Sequence, residues 1–319
     1  MKNLELNSQA SRCDIHAIVL TCNEVMHLER CLASLRSQVT SITVVDSGST
    51  DRTVDIARSF GAQVVSNMWV NYATQMNFAI DAIAGLPGWA LRIDADEILE
   101  NERGLNLAEV VGLAADNTDG LLVQRRIVFL GRRISHGSIE PSWQLRLWRN
   151  GRGRCELRWM DEHIIVEGAV EKSPVVITDR NLKSLTWWTE KHNSYASREA
   201  IEILNARHRF LPCGGLGEAN PGMQARLRRF VKDEAYLRLP SGLRSMLYFF
   251  YRYVLRLGFI DGREGLYFHL MQGLWYRVLV DAKVHEIEAF ARQESLSIAS
   301  AIKDRTGFEV DAVQEQRIG

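Results

Sequence analysis

The chain is predicted to be an α/β protein built on a mainly parallel sheet, and three observations predict it. Short apolar runs alternate with amphipathic helical stretches through roughly the first hundred residues. A polar cluster follows each of the first two runs, and the fourth ends in Asp-x-Asp. Strands alternating with helices need right-handed crossovers, which bring the post-strand loops to one sheet edge, where ligands bind.

Ala17-Ile18-Val19-Leu20 reads as the first buried strand and runs out into Thr21-Cys22-Asn23-Glu24. Val25, Leu28, Leu32 and Leu35 then recur at helical spacing, with Asn23 as a candidate N-cap and Arg30 and Arg36 on the opposite face. The second strand, Ile42-Thr43-Val44-Val45, ends at Asp46-Ser47-Gly48-Ser49-Thr50-Asp51, a cluster of turn formers leading into a helix from Arg52 to Phe60. Val64-Val65 supplies a third strand, and Ala73, Met76, Ile80 and Ile83 form another helical stripe. Trp89 to Ile93 is the fourth strand, and it delivers Asp94, Asp96 and Glu97 to the edge. Three carboxylates so close together repel one another, and hard oxygen ligands grouped this way suit Mg²⁺ or Mn²⁺ carrying a phosphorylated substrate. The competing reading is a solvated acidic turn.

In order and spacing, Thr21-Cys22-Asn23-Glu24, Val45-Asp46-Ser47-Gly48-Ser49-Thr50-Asp51 and Asp94-Ala95-Asp96-Glu97 resemble the family-2 glycosyltransferases. The likeness extends more weakly to about Lys191, and Leu91 to Glu97 with Asp161-Glu162-His163 resembles the lipopolysaccharide-core β-1,4-glucosyltransferases. The resemblance implies the GT-A fold, a nucleotide-diphospho-sugar donor and a divalent metal. By the same resemblance Thr21, Asn23 and Glu24 lie beside the nucleotide, and Asp46, Ser47 and Asp51 belong to its recognition loop. Asp96 holds the metal, with Asp94 assisting through water. Many relatives carry Asp-Asp-Gly-Ser where this chain has Asp46-Ser47-Gly48-Ser49, so base recognition through the second position does not transfer directly.

Leu121-Leu122-Val123 reads as a further strand, followed by arginines interleaved with Phe129, Trp143, Trp148 and Trp159. Such a mixture suits stacking on sugars and pairing with phosphates; many of these side chains would equally serve strand edges and core. Glu162 sits where the family keeps its base, with Asp161 in reserve. An inverting transferase needs a carboxylate to take the acceptor hydroxyl's proton during attack on the anomeric carbon. The rival is a surface turn paired to an arginine. His163 reads as a neighbour rather than a ligand, since a lone histidine seldom holds a metal.

The 319 residues, 46% hydrophobic and 24% charged, fill one large domain and an appendage, read as a catalytic domain over 1–211 and a helical region over 212–319. Zero formal net charge gives no general attraction to nucleic acid, which is excluded as a partner. Five cysteines without a Cys-x-x-Cys pair fit a reducing cytosol, and the polar first sixteen residues lack the apolar core of a signal peptide. The Gly- and Pro-containing stretch Pro212 to Gly222 reads as a hinge. Beyond it, Arg244, Tyr248, Arg252 and Arg256 recur every fourth residue and gather on one helical face. That pattern suggests a basic amphipathic helix lying on the cytoplasmic face of the inner membrane, against the alternative of ordinary packing. Gly258 to Gly265 breaks the helix and Leu266 to Val284 resumes it, which predicts a hairpin. By resemblance the acceptor is a lipid-linked saccharide. Two rival functions remain open, a non-catalytic nucleotide-sugar-binding subunit and a Mg-dependent phosphohydrolase; the latter fits poorly, because its Asp-x-Asp lies on the first strand.

Overall fold

The computed structural model describes residues 13–100, 104–156, 162–210 and 242–310, which form two compact units, one ending at Lys183 and the next beginning at Ser184. The first unit is an α/β domain around a nine-stranded sheet. Its strands β1 (Ile15–Thr21), β2 (Ser41–Asp46), β3 (Gln63–Ser66) and β4 (Trp89–Arg92) are parallel and lie in the order β3-β2-β1-β4. Thr21 stands opposite Asp46, so β1 and β2 end level and their polar clusters meet.

Helices α1 (Leu28–Leu35), α2 (Thr53–Ser59), α3 (Tyr72–Ile83) and α4 (Leu107–Gly112) cover both faces of this sheet. Leu28, Leu32 and Leu35 of α1 pack with Val19, Leu91 and Ile93 on one face. Met76, Ile80 and Ile83 of α3 pack with Ile18, Val45 and Trp148 on the other. Each such buried side chain contributes roughly 1.5–3 kcal/mol of hydrophobic free energy. Asn23 does not cap α1, contrary to expectation. The helix begins after His27, whereas Asn23 adopts φ 55° and its side-chain oxygen accepts from the Thr50 and Asp51 amides at 2.8 and 3.3 Å.

The sheet continues past β4 through β8 (Ser142–Arg149), β6 (Thr118–Phe129), β11 (Ala169–Arg180) and β5 (Glu97–Glu100), with β7 (Arg132–Ile134) on β6. β9 (Gly153–Cys155) and β10 (Ile164–Val166) form a separate ribbon. The acidic triplet lies between β4 and β5, which are four places apart in strand order. In a flat sheet they would stand about 19 Å apart. A tight turn, closed by the Glu97 amide on the Asp94 carbonyl at 2.9 Å, joins them, so the sheet must curl around it. Glu97 consequently pairs with Asp179 of β11, and the acidic turn is enclosed by strands distant in sequence.

The second unit is helical. It comprises α5 (Leu185–His208), α6 (Leu243–Phe250) continuing through a π-helical turn to Leu255, a 3₁₀ turn (Gly258–Asp261), α7 (Gly262–Phe268) running through a second π-helical stretch into α8 (Tyr276–Gln293), and α9 (Ile298–Thr306). Ala200, Ile201 and Leu204 of α5 pack with Val284 and Ile287 of α8 and with Ala301 and Ile302 of α9. Thus α5 shares its core with the C-terminal helices, while the stretch 212–222 read as a hinge lies outside the described residues. The expected hairpin is present, tied across by Arg244 on Asp281 and Arg252 on Gln272. Arg244 and Arg252 point inward, only 5% and 4% exposed, and the apolar residues point outward. No described helix is long and apolar enough to cross a membrane.

Candidate functional site

At the end of β1 and β2 the polar clusters lock one another. Asp46 is buried; one oxygen accepts from the Gly48 and Ser49 amides at 3.0 and 2.8 Å, and the other from the Thr21 and Ser49 hydroxyls, Thr21 at 3.0 Å. Asp51 accepts from the Thr53 amide at 2.9 Å and the Val25 amide at 3.3 Å. Ser47 accepts from Gln75 at 2.9 Å. These contacts use most of the acceptor capacity of Asp46 and Asp51 in shaping the loop. Only Asn23, Cys22 and their exposed neighbours face outward here.

Glu24 is also occupied. The Leu182 amide donates to His27 Nε2 at 2.8 Å, which puts the imidazole proton on Nδ1, and that proton is donated to Glu24 Oε2 at 2.6 Å. Lys183 Nζ donates to Glu24 Oε1 at 2.7 Å. Partial burial opposes ionisation of Glu24, but the His27 and Lys183 bonds outweigh it and hold its pKa below the usual value. This carboxylate ties the residues after β11 to the β1–α1 turn.

The acidic turn after β4 separates its three carboxylates into different environments. Asp94 accepts from Tyr72 at 3.2 Å and lies 3.4 Å from both terminal nitrogens of Arg146 and 3.7 Å from Arg92 Nε. Burial alone would raise its pKa, yet Arg146 and then Arg92 drive it far below the carboxylate range. Glu97, 1% exposed, accepts from the Asp94 amide at 2.8 Å and from Arg146 at 2.7 Å, with Arg125 Nε at 3.4 Å. Burial lifts its carboxyl to about 7 although Arg146 pulls it down, and neighbouring Asp94 raises it further. Arg146 reaches both acids because β8 runs antiparallel to β4, with Leu147 opposite Leu91.

Asp96 is treated differently. Its main-chain oxygen is held by Arg30 Nη2 at 3.1 Å and by the Arg180 amide at 3.0 Å. Its carboxylate accepts one hydrogen bond, from Asn181 at 3.0 Å, and makes no ion pair among the described residues. The backbone is fixed while one side-chain oxygen stays available. Among the described residues no group of three or more His, Cys, Asp or Glu could hold a metal by itself. A Mg²⁺-type site bound through one or two carboxylates plus substrate phosphates needs no such group, and Asp96 with Asp94 close by fits that donor set.

Glu162 is drawn to the same edge. Its main-chain oxygen accepts from Arg92 Nη1 at 3.5 Å, and the same guanidinium lies over the Tyr72 ring at 4.6 Å and beside Asp94. Asp161 lies outside the described residues. The structure therefore brings Asp94 and the Glu162 main chain together at Arg92, holds Asp96 on Arg30, Arg180 and Asn181 instead, and gathers Thr21, Asn23, Glu24, Asp46, Ser47 and Asp51 around the ends of β1 and β2.

Among the described residues of the arginine-rich middle section, several arginines are spent on pairing within the domain. Arg125 pairs with Asp179, Arg133 with Glu140 and Arg154 with Asp81, and Arg149 bonds the Thr118 carbonyl at 2.8 Å while covering Trp89. Trp148 is core. The residues that sequence reasoning missed as site components are Tyr72, Arg92, Arg146 and Asn181. Arg146 was visible only as one arginine in a run, and the signal for it is the uncompensated charge of the acidic triplet.

Residues 17–166 match the family model "Glycosyl transferase family 2". Over 192 residues the chain is 30% identical to the lipopolysaccharide core biosynthesis glycosyltransferase LpsC of Rhizobium meliloti, an alignment covering 56% of this chain and 70% of that protein. The chain belongs to glycosyl transferase family 2. An uncharacterized glycosyltransferase of Rickettsia bellii is 43% identical over 88 residues, 28% of this chain and 29% of its own. Among solved structures, a glucosyl-3-phosphoglycerate synthase from Mycobacterium tuberculosis in complex with Mg²⁺ and UDP is 25% identical, covering 39% of this chain and 47% of its own. Its TM-score of 0.31 gives that likeness no weight here. Membership of the family agrees with the mainly parallel, helix-flanked sheet found for residues before Lys183.

Proposed function

We propose that this family-2 enzyme is an inverting glycosyltransferase that moves a sugar from a nucleoside-diphospho-sugar to a hydroxyl of a lipid-linked saccharide in lipopolysaccharide or exopolysaccharide synthesis. The observation that carries this reading is the unequal treatment of the acidic turn. Arginines compensate Asp94 and Glu97, whereas Asp96 is anchored through its main chain and keeps carboxylate capacity. Such an arrangement supports a ligand site better than a solvated turn, in which no side chain would need a fixed backbone.

In this reading Asp96, helped by Asp94, would hold the Mg²⁺ or Mn²⁺ that accompanies the donor diphosphate. When bound, the ion offsets negative charge on the departing nucleoside diphosphate. Asn23 and the exposed rim of the Asp46–Asp51 loop lie beside the nucleoside; Asp46, Asp51 and Glu24 act chiefly by shaping that loop. Glu162 takes the proton from the acceptor hydroxyl as its oxygen attacks the anomeric carbon from the face opposite the leaving group. No covalent glycosyl-enzyme is needed. Arg92 fixes the Glu162 main chain relative to Asp94.

The test is a thermal-shift panel of nucleotide sugars with and without Mn²⁺, followed by transfer assays on Glu162→Gln. A donor at a hundred times its Kd should add about 2.7 kcal/mol of stability. Glu162→Gln should keep that shift and lose transfer by about 10²- to 10⁴-fold. Stabilisation by no nucleotide sugar would overturn the donor site, and near-normal turnover of Glu162→Gln would overturn the base. A non-catalytic binding subunit would show the shift and no transfer that depends on Glu162.

A further inference from the structure

We propose that Asn181 is a positioning residue for cation binding: its side-chain amide holds one oxygen of the Asp96 carboxylate, so that the other stays free for the ion. This inference deepens the reading of Asp96 as the carboxylate that takes Mg²⁺ or Mn²⁺, and rests on it.

Strand pairing places Asn181. Asp179 of β11 stands opposite Glu97 of β5, and the Arg180 amide extends that pairing by one residue, donating to the Asp96 carbonyl at 3.0 Å. The next residue, Asn181, therefore arrives beside the Asp96 side chain. Its neighbours fix the sense of its amide. The Lys183 main-chain N–H donates to Asn181 Oδ1 at 2.8 Å, which leaves Nδ2 to donate to Asp96 Oδ2 at 3.0 Å. A flipped amide would set oxygen against oxygen at Asp96 and N–H against N–H at Lys183. Because Oδ1 is turned to Lys183, Asn181 acts through Asp96.

The backbone that presents this amide is fastened on both sides of it. The Arg180 carbonyl accepts from Arg30 Nη2, the Leu182 amide donates to His27 Nε2 at 2.8 Å, and Lys183 Nζ donates to Glu24 Oε1 at 2.7 Å. Residues 180–183 are thus tied to α1 and to the turn before it. The Asp96 carboxylate has little else to orient it, since its terminal torsion is intrinsically broad and among the described residues no second hydrogen bond reaches its oxygens. One donor at a fixed point selects the orientation. A neutral amide does so without compensating the carboxylate's charge, whereas Asp94 and Glu97 give theirs to Arg146. Charge left on Asp96 is what a divalent cation requires.

Titration of the full chain with Mn²⁺, followed by loss of the free-ion electron paramagnetic resonance signal and repeated with UDP and with GDP, tests the proposal on Asn181→Ala and Asn181→Ser. Removing a group that orients a metal-holding carboxylate typically costs about 10- to 100-fold in affinity, and both variants should show that loss. Serine keeps a hydroxyl able to accept from the Lys183 amide but is too short to reach Asp96. A role confined to the local turn would therefore be lost in Asn181→Ala and kept in Asn181→Ser. Without metal, Asn181→Ser should melt close to the parent, and excess Mn²⁺ should restore its transfer activity. In an Asp96→Asn chain, Asn181→Ser should lower the residual transfer no further, as expected of two groups in contact that act as a unit. Parental Mn²⁺ affinity in Asn181→Ser, or a full further loss in the Asp96→Asn chain, overturns the proposal and leaves the reading of Asp96 intact. A parent chain that takes up no Mn²⁺ under any of these conditions overturns both.

Discussion

Asp96 and Arg146 divide the work at the acidic turn, and their substitutions should fail in different ways. Asp96→Asn keeps an oxygen to accept from Asn181 and leaves both main-chain anchors in place. Its stability should therefore stay within about 0.5 kcal/mol of the parent. Transfer should fall by about 10²- to 10³-fold or more, since leaving-group charge is then uncompensated. Arg146→Met, in contrast, strips Asp94 and Glu97 of their shared buried cation. Removing one partner of a buried ion pair typically costs about 3–5 kcal/mol, so its melting temperature should drop by on the order of 10 °C. Differential scanning calorimetry beside a transfer assay separates the outcomes. An Asp96→Asn chain that melts as early as Arg146→Met would show that Asp96 is structural. Asp96 was legible from Asp-x-Asp at the end of an apolar strand. Arg146 was not, because its partners lie about fifty residues earlier in sequence and meet it only through antiparallel pairing of β8 with β4.

Among the elements, β4 matters most, since it carries the acidic turn and its start is set by one glycine. Gly88 has φ 100°, and a Cβ there would lie 2.3 Å from the Asp14 carbonyl oxygen, which itself accepts from the Trp89 amide at 2.8 Å. Gly131, between β6 and β7, has φ 84° but open space around it. Gly131→Ala should thus cost only its backbone conformation, about 1 kcal/mol, whereas Gly88→Ala adds a backbone clash and should cost several. Urea unfolding of both variants checks this; equal losses would mean that the β1–β4 approach is not tight. The strands β1, β2 and β4 were readable because each is a short apolar run with punctuation. The start of α1 was misread because Asn at a strand end has the chemistry of an N-cap, and here that same side chain holds the Thr50 and Asp51 amides. Four-residue spacing correctly placed Arg244 and Arg252 on one face of the α6 stretch. It could not say which side faces inward, because that is decided by Asp281 and Gln272 on the opposing arm.

Across the whole molecule the two compact units should respond to acid in opposite directions. In the sheet unit the group that acts between pH 4.5 and 7 is Glu97, whose folded pKa of about 7 exceeds its ordinary value of 4.5 because burial disfavours the charge. Its folded form therefore binds more protons than the unfolded chain in that window, and stability falls as pH rises through it. Conversely, acidification from pH 7 toward 4.5 strengthens the sheet unit. The depressed pKa values of Glu24 and Asp94 act only at lower pH, where their stabilisation is lost. In the helical unit, burial lowers His192 and His269 from 6.5 to about 4. There the unfolded chain binds more protons, so stability is lost as pH falls from 6.5 toward 4. Hydrogen exchange read by mass spectrometry at pH 7 and 5, corrected for intrinsic rates, should show protection rising in β4, β5 and β8 and falling in α7 and α8. Glu97→Gln should remove the rise without touching the helical response, and His269→Phe should diminish the fall. A common response of both units, or a rise that survives in Glu97→Gln, would mean that proton binding at Glu97 does not govern the acid behaviour of the sheet.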